Sequence, residues 1–314
     1  MGLSSEELDK HCQQILSDRR IKNRIVVLCE GEIKDPQGRR SPLAYRRMEQ
    51  MPDANFYRRC VPESWKQYPP IFFNCGDRLD VINTYFNLLK LNQAKPDNSY
   101  LDQDKLFALV DLDIQSQQIN NYPFADTESI YYHLYCKYRV IPKQIAEHRI
   151  LTTGLIHKEA YFILPELQEV FDSSLLSPQY QSNSVSLPDI YLKIANETCH
   201  DIDLQKNFDR AIKRINHCQN IDCCAVEKFK HSWNHEFINS SDKQRQKELI
   251  LTLLTIRKAK KYWEEIKPDS NCNINIERFR EQLTLEIGKA YSRQDWNNPE
   301  NHIASWFKFL YEIA

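Results

Sequence analysis

Glycine is what this chain most conspicuously lacks. Its 314 residues contain six, where an average chain of that length holds about 20. No G-x-x-x-x-G-K-[ST] run occurs, which excludes a P-loop ATPase domain within the chain. No apolar run approaches the roughly 20 residues needed to span a bilayer. The formal net charge is -1, from 42 basic and 43 acidic residues, so nothing global draws the protein to nucleic acid or an anionic membrane. A local basic groove stays open as an expectation. The start MGLSSE has Glu6 where a myristoylation signal needs Ser or Thr, and it does not read as a signal peptide. The expectation is a soluble, cytoplasmic protein with no membrane partner and reduced thiols, despite ten cysteines.

What is present suits a folded chain: 41% hydrophobic and 27% charged residues, with length for one or two domains. The scarce glycines then carry information. Gly31, Gly76 and Gly154 each follow a strand candidate, where a chain turns sharply or approaches a ligand. Those candidates are IVVLC (25–29), IFFNC (71–75), LFALV (106–110) and the weaker RILTT (149–153). Continuous apolar, β-branched runs of this kind suit strands covered on both faces. Cys29 and Cys75, inside such runs, read as small buried hydrophobes.

Helical spacing appears at 5–18 and 80–91, and in ESIYYHLYCKY (128–138). Residues 34–65 read as a polar loop with a short helix around Pro42–Met48. Residues 157–171 read as two short helices kinked at Pro165. Strand, helix, strand, helix describes an α/β class with a mostly parallel sheet flanked by helices. The expected organisation is an N-terminal helix at 1–20, an α/β domain at 21–172, a polar linker at 173–185 and a mainly α-helical domain at 186–314. Helices are expected there at 186–197, 202–217, 242–266, 275–291 and 302–313.

In parallel sheets, ligands gather beyond the carboxyl ends of the strands. Glu30, Glu32, Asp111 and Asp113 all fall at such ends. Asp111 and Asp113, two apart, point to opposite faces of a strict strand but converge where the backbone turns. Taken alone, such pairs also serve as caps or solvated turn residues. Close to Glu30 without a cation, they would place like charges together. Hard oxygen ligands of this type suit Mg²⁺ or Mn²⁺. In the C-terminal half, Cys199, His200, His217, Cys218, Cys223, Cys224, His231 and His235 read as buried thiols and surface histidines rather than a zinc centre.

At these residues the chain resembles the Toprim fold of topoisomerases, bacterial primases and the OLD-type and RloB-like nucleases of phage-defence systems. IVVLCEGE supplies the Glu-Gly after a first strand, as Glu30 and Gly31, and LFALVDLD supplies the Asp-x-Asp, as Asp111 and Asp113. The similarity covers roughly residues 22–170. It implies a metal-dependent endonuclease on DNA or RNA, a role in antiviral defence, and Mg²⁺ or Mn²⁺ held by Glu30, Asp111 and Asp113. HKEAYFILPEL is similar to a family segment that makes Glu159 a further acid, with Lys158 beside it as a cation for the substrate phosphate. The acid shortly after Glu-Gly corresponds to Glu32 or Asp35, and Asn83 corresponds to a helix asparagine. Arg39, Arg40, Arg46 and Arg47, with the aromatic Tyr45, Phe56, Tyr57 and Trp65, offer phosphate forks and base-stacking faces, or a solvated loop and core packing.

Two other readings stand beside the nuclease. One is a catalytically silent Toprim-like subunit of an ATPase complex, since a separate ATPase partner would supply what this chain lacks. The other is a different Mg-dependent phosphotransfer or nucleotide-processing enzyme. The C-terminal helices are expected to act as a lid, a homodimer surface or a partner-docking module.

Overall fold

The computed structural model describes residues 3–33, 52–270 and 272–314. The expected helix around Pro42–Met48, Asp35, Tyr45 and the four arginines at 39, 40, 46 and 47 lie outside the described residues. Two compact units form. The first comprises Met1–Val110, Gln117–Thr152 and Gly288–Ala314; the second comprises Asp111–Ser116 and Thr153–Ile287.

The first unit is built on four parallel strands: β1 (Val26–Cys29), β2 (Ile71–Asn74), β3 (Leu106–Val110) and, after a hairpin of β4 (Tyr135–Cys136) and β5 (Arg139–Val140), β6 (Ile150–Thr152). Their order in the sheet is β2-β1-β3-β6. The four expected strands are all present, and every residue of each is buried. Burial on both faces is what their unbroken apolar character demands. Parallel neighbours need crossovers. The described part of the β1–β2 connection carries α1's successor α2 (Pro52–Cys60), where α1 is Ser5–Leu16. α3 (Arg78–Ala94) joins β2 to β3, and α4 (Thr127–Leu134) lies between β3 and β6. α2 falls in a stretch the sequence reads as loop.

One face of the sheet is covered by the helix His302–Ile313. Phe307 meets Phe72 edge-on at 6.0 Å, and Phe309 meets Phe107 at 5.7 Å. Trp306 Nε1 donates to Tyr135 Oη at 3.0 Å, and that hydroxyl donates to the Thr152 carbonyl at 2.7 Å. The indole and phenol thus bury their apolar bodies without orphaning a polar atom. α1 packs on α3, with Cys12 Sγ 3.8 Å from the Thr84 carbonyl and Asn87 Nδ2 donating to Asp9 at 2.8 Å.

Past β1 and β2 the two strand ends are tied by reciprocal bonds: Gly31 N–H to Gly76 O at 2.9 Å, and Gly76 N–H to Gly31 O at 2.8 Å. Gly76 has φ +86°, a region L side chains avoid. Asp77 and Asp80 then form a capping box on α3, with Asp80 N–H donating to Asp77 at 3.0 Å and Asp77 N–H to Asp80 Oδ2 at 3.2 Å. A Cβ on Gly76 would fall 2.4 Å from that same Oδ2. Gly76→Ala therefore forces a left-handed alanine and breaks the cap. We expect a loss of about 2–3 kcal/mol in urea unfolding; a loss near zero would refute this account of the turn.

The second unit carries a three-stranded antiparallel sheet of β7 (Pro178–Tyr180), β8 (Asn183–Ser184) and β9 (Ile266–Pro268), in the order β8-β7-β9. Two of these strands lie in the stretch expected as a linker. The helix Lys243–Ile256 is buried from Leu249 through Ile256. Trp233, on the helix Val226–Asn239, stacks on Phe237 at 4.7 Å and donates its Nε1 to the Leu249 carbonyl at 2.8 Å.

Several expected helices are shorter or divided. Residues 202–217 give Ile202–Lys206 and Phe208–Ile215, and 242–266 gives Lys243–Ile256, Lys260–Glu265 and then β9. Residues 157–171 form 3-10 turns at Lys158–Ile163 and Pro165–Leu167 before the helix Gln168–Ser173. No described helix is long and apolar enough to cross a membrane.

Candidate functional site

Glu30 and Glu32 belong to the first unit. Glu30 follows Cys29, the last residue of β1, and is half-buried; Glu32 is exposed. The segment between them is held by Asn74, the last residue of β2, which is 2% exposed. Its Nδ2 donates to the Glu32 carbonyl at 3.2 Å, and its Oδ1 accepts the Ala54 N–H of α2 at 3.0 Å. Gly31 is required here by close approach, since a Cβ would sit 2.5 Å from Asn74 Cγ and 2.6 Å from Asp53 Oδ2. Asn83, the asparagine expected from the resemblance, is instead on the exposed side of α3.

Asp111, Asp113, Lys158 and Glu159 belong to the second unit. Asp111 follows Val110, the end of β3, and its Oδ1 accepts the backbone N–H of Lys158 at 3.0 Å. Leu112 N–H donates to Thr153 Oγ1 at 2.9 Å, and that hydroxyl donates to the Leu155 carbonyl at 2.7 Å. Asp113 has φ +48°, a left-handed conformation Asp tolerates better than most residues. Its N–H donates to Ile156 O at 2.7 Å, and its carbonyl accepts from Arg214 Nη2 at 2.6 Å. The turn is thus fixed through its backbone, as Arg210 Nη1 also donates to the Ile114 carbonyl at 3.1 Å. The Asp113 carboxylate takes the Ile114 N–H on Oδ1 at 2.6 Å, and Lys258 Nζ stands 3.4 Å from the same oxygen. Lys258 also lies 3.4 Å from Asp203.

Glu159 turns toward a different partner. Its Oε2 lies 2.8 Å from His157 Nδ1, and both side chains are nearly buried. His157 Nε2 accepts the Ala259 N–H at 3.0 Å, which assigns the imidazole proton to Nδ1, facing the carboxylate. Burial opposes ionisation of Glu159, but the hydrogen bond from His157 and the positive charge of Lys158 outweigh it and hold the carboxyl down at about 2. Glu159 is therefore a fixed anion that orients its histidine.

Among the described residues, no group of three or more His, Cys, Asp or Glu side chains is disposed to hold a metal ion. The chain matches no family model, no curated protein and no solved structure. The arrangement itself does three things chemically. It aims two carboxylates from one rigid turn, places an ammonium beside one of them, and buries a His–Glu pair next to Lys158. Asn74, His157, Arg214 and Lys258 are the residues that sequence reasoning missed. Arg214 and Lys258 act on Asp113 across more than a hundred residues of chain, a distance over which no local pattern reports.

Proposed function

We propose that the protein is a divalent-metal-dependent nuclease, hydrolysing phosphodiesters of DNA or RNA with Glu30, Asp111 and Asp113. The observation that carries this reading is the strand order. β1 and β3 are hydrogen-bonded parallel neighbours, Cys29 pairing with Leu109, and an acid follows each directly in the chain. That is the end of a parallel sheet where ligands bind. The donor chemistry fits: Mg²⁺ is commonly held by one or two carboxylates together with waters and substrate phosphates, so a preformed three-ligand cage is not required. Asp111 and Asp113 would hold the ion, with Glu30 as a further ligand or as the base. When bound, the ion supplies charge for the transition state and lowers the pKa of water. The chain's own groups orient the reaction: the Lys158 N–H fixes the Asp111 carboxylate, the Ile114 N–H fixes that of Asp113, and Lys258 presents positive charge for a phosphate.

The test is cleavage of labelled DNA and RNA with Mn²⁺ or Mg²⁺ against a chelator control. Metal-dependent cutting that falls at least about 100-fold in Glu30→Gln is the expected result, equivalent to about 2.7 kcal/mol of lost transition-state stabilisation. Equal cutting by Glu30→Gln, or cutting in chelator, would overturn it. One observation favours a second reading, a silent subunit that binds without turnover: Lys258 already supplies Asp113 with a positive neighbour. In that case Mn²⁺ binds measurably only after Lys258→Gln, and no cleavage appears in either form.

A further inference from the structure

Within the second unit, Lys258 is placed more firmly than a lysine's flexible stem requires. The helix Lys243–Ile256 ends two residues before it, and both of its chain neighbours are anchored. Arg257 sends its guanidinium, 7% exposed, onto Asp201. The Ala259 N–H is held by His157 Nε2 at 3.0 Å, and His157 in turn by Glu159 at 2.8 Å. Asp201 is itself fixed as the N-cap of the helix Ile202–Lys206, where it accepts the Leu204 N–H at 3.0 Å. One short segment thus offers two carboxylates to two adjacent cations, Asp201 to Arg257 and Asp203 to Lys258.

The two pairs differ in kind. Arg257 and Asp201 are withdrawn from water, whereas the Lys258 side chain is 43% exposed. Breaking a buried pair strands a charge, but a half-exposed ammonium exchanges partners at little cost. Lys258 has two partners to exchange. Its Nζ stands 3.4 Å from Asp113 Oδ1 and 3.4 Å from Asp203 Oδ2, both beyond the about 2.7–2.9 Å of a closed charged hydrogen bond. The ammonium is shared between the two carboxylates and committed to neither. Asp113 cannot follow it, because Arg214 Nη2 holds its carbonyl at 2.6 Å and its Oδ1 takes the Ile114 N–H at 2.6 Å. A divalent ion and an ammonium on one carboxylate repel each other, and that repulsion falls with separation. Asp203 gives the ammonium somewhere to go without movement of the anchored backbone.

We propose that Lys258 is a movable arm, shared between Asp113 and Asp203, that passes wholly to Asp203 when a divalent cation binds Asp113. Asp203 is then a positioning residue that acts through Lys258, and not a metal ligand. The arm rests on the reading of Asp113 as a ligand, but its test reads binding and not cutting. Mn²⁺ is titrated into the full chain and the free ion is counted by electron paramagnetic resonance, in the wild type, Lys258→Gln, Asp203→Asn and the double variant. Lys258→Gln is expected to bind Mn²⁺ at least tenfold tighter. Asp203→Asn is expected to bind it more weakly, because the ammonium then has only Asp113, and this weakening is expected to be at least threefold larger with Lys258 present than with Gln at 258. Lys258 and Asp203 are both half-exposed, so the variants are expected to keep the wild-type melting temperature. Equal effects of Asp203→Asn in the two backgrounds would show Asp203 acting on the ion directly and overturn the arm, as would unchanged affinity in Lys258→Gln. No Mn²⁺ binding by any of the four proteins would remove Asp113 as a ligand and the arm with it. The expected affinities without cleavage keep the arm and remove the nuclease; metal-dependent cleavage with unchanged affinity in Lys258→Gln does the reverse.

Discussion

Asp111→Asn is expected to remove at least about 99% of metal-dependent cleavage while leaving the protein folded, a loss of some 2.7 kcal/mol or more in transition-state stabilisation. The substitution separates charge from shape. Asn keeps an oxygen to accept the Lys158 N–H, so the 3.0 Å contact that fixes this side chain survives. What is lost is the negative charge that would hold a divalent ion. Asp111 is half-buried and two residues from Asp113, so neutralising it also relieves any like-charge repulsion. The melting temperature should therefore stay level or rise slightly. Cleavage and Mn²⁺ affinity should fall together. A variant that cuts normally would remove Asp111 from the site, and one that unfolds would show the carboxylate to be structural.

How much of this was legible in the sequence depends on what each feature answers to. β1, β2, β3 and β6 were readable because strands buried on both faces must be apolar throughout, a local property. That Glu30 and Asp111 each follow a strand came from the same runs; that β1 and β3 are neighbours came only with the fold. The helix expected over 242–266 was not readable to its end, because its break is tertiary. In a continuous helix the Ala259 N–H would bond the Thr255 carbonyl. Here the N–H goes to His157 Nε2 at 3.0 Å, while Arg214 Nη1 lies 3.5 Å from Thr255 O. Arg257 leaves the helix as extended backbone, and its guanidinium pairs with Asp201. No Pro or Gly marks this stop, and the residues that cause it are up to a hundred positions away. Asn74 shows the converse. It was visible as the lone polar residue of IFFNC, but its work, holding the Glu32 carbonyl and the Ala54 N–H, depends on elements that only the fold brings to it.

Acid should weaken the first unit well above the pH at which carboxylates titrate. His11 is 4% exposed and His148 fully buried, and burial pushes both imidazoles down to about 4. His11 Nε2 faces Cys75 Sγ at 3.5 Å, a neighbour that offers no compensating charge while its thiol stays protonated. Burial raises that thiol far above its ordinary range. His148 Nε2 lies 2.8 Å from His133 Nδ1, so a proton on His148 would face another imidazole rather than an anion; Phe124 covers it at 4.2 Å, and Glu147 stands 3.8 Å from His133.

The sign follows from linkage. With folded values depressed below the unfolded 6.5, the unfolded chain binds more protons, and stability present above pH 6.5 is lost as pH falls toward 4. Each histidine is expected to cost about 2 kcal/mol by pH 5. Urea unfolding at pH 7 and pH 5 reads this directly. His148→Gln should remove about half the difference, and a flat profile in the wild type would refute the burial argument. Glu159 offers an internal contrast in the second unit. Its carboxyl is held below its unfolded value, so its contribution persists above about pH 4.5 and is lost only as pH falls toward 2. The two units should therefore lose stability in separate pH windows. Tryptophans mark both, Trp306 in the first and Trp233 in the second, so single-tryptophan fluorescence resolves which yields first. The first unit is expected to yield first, because histidine titration precedes that of a paired glutamate on the way down.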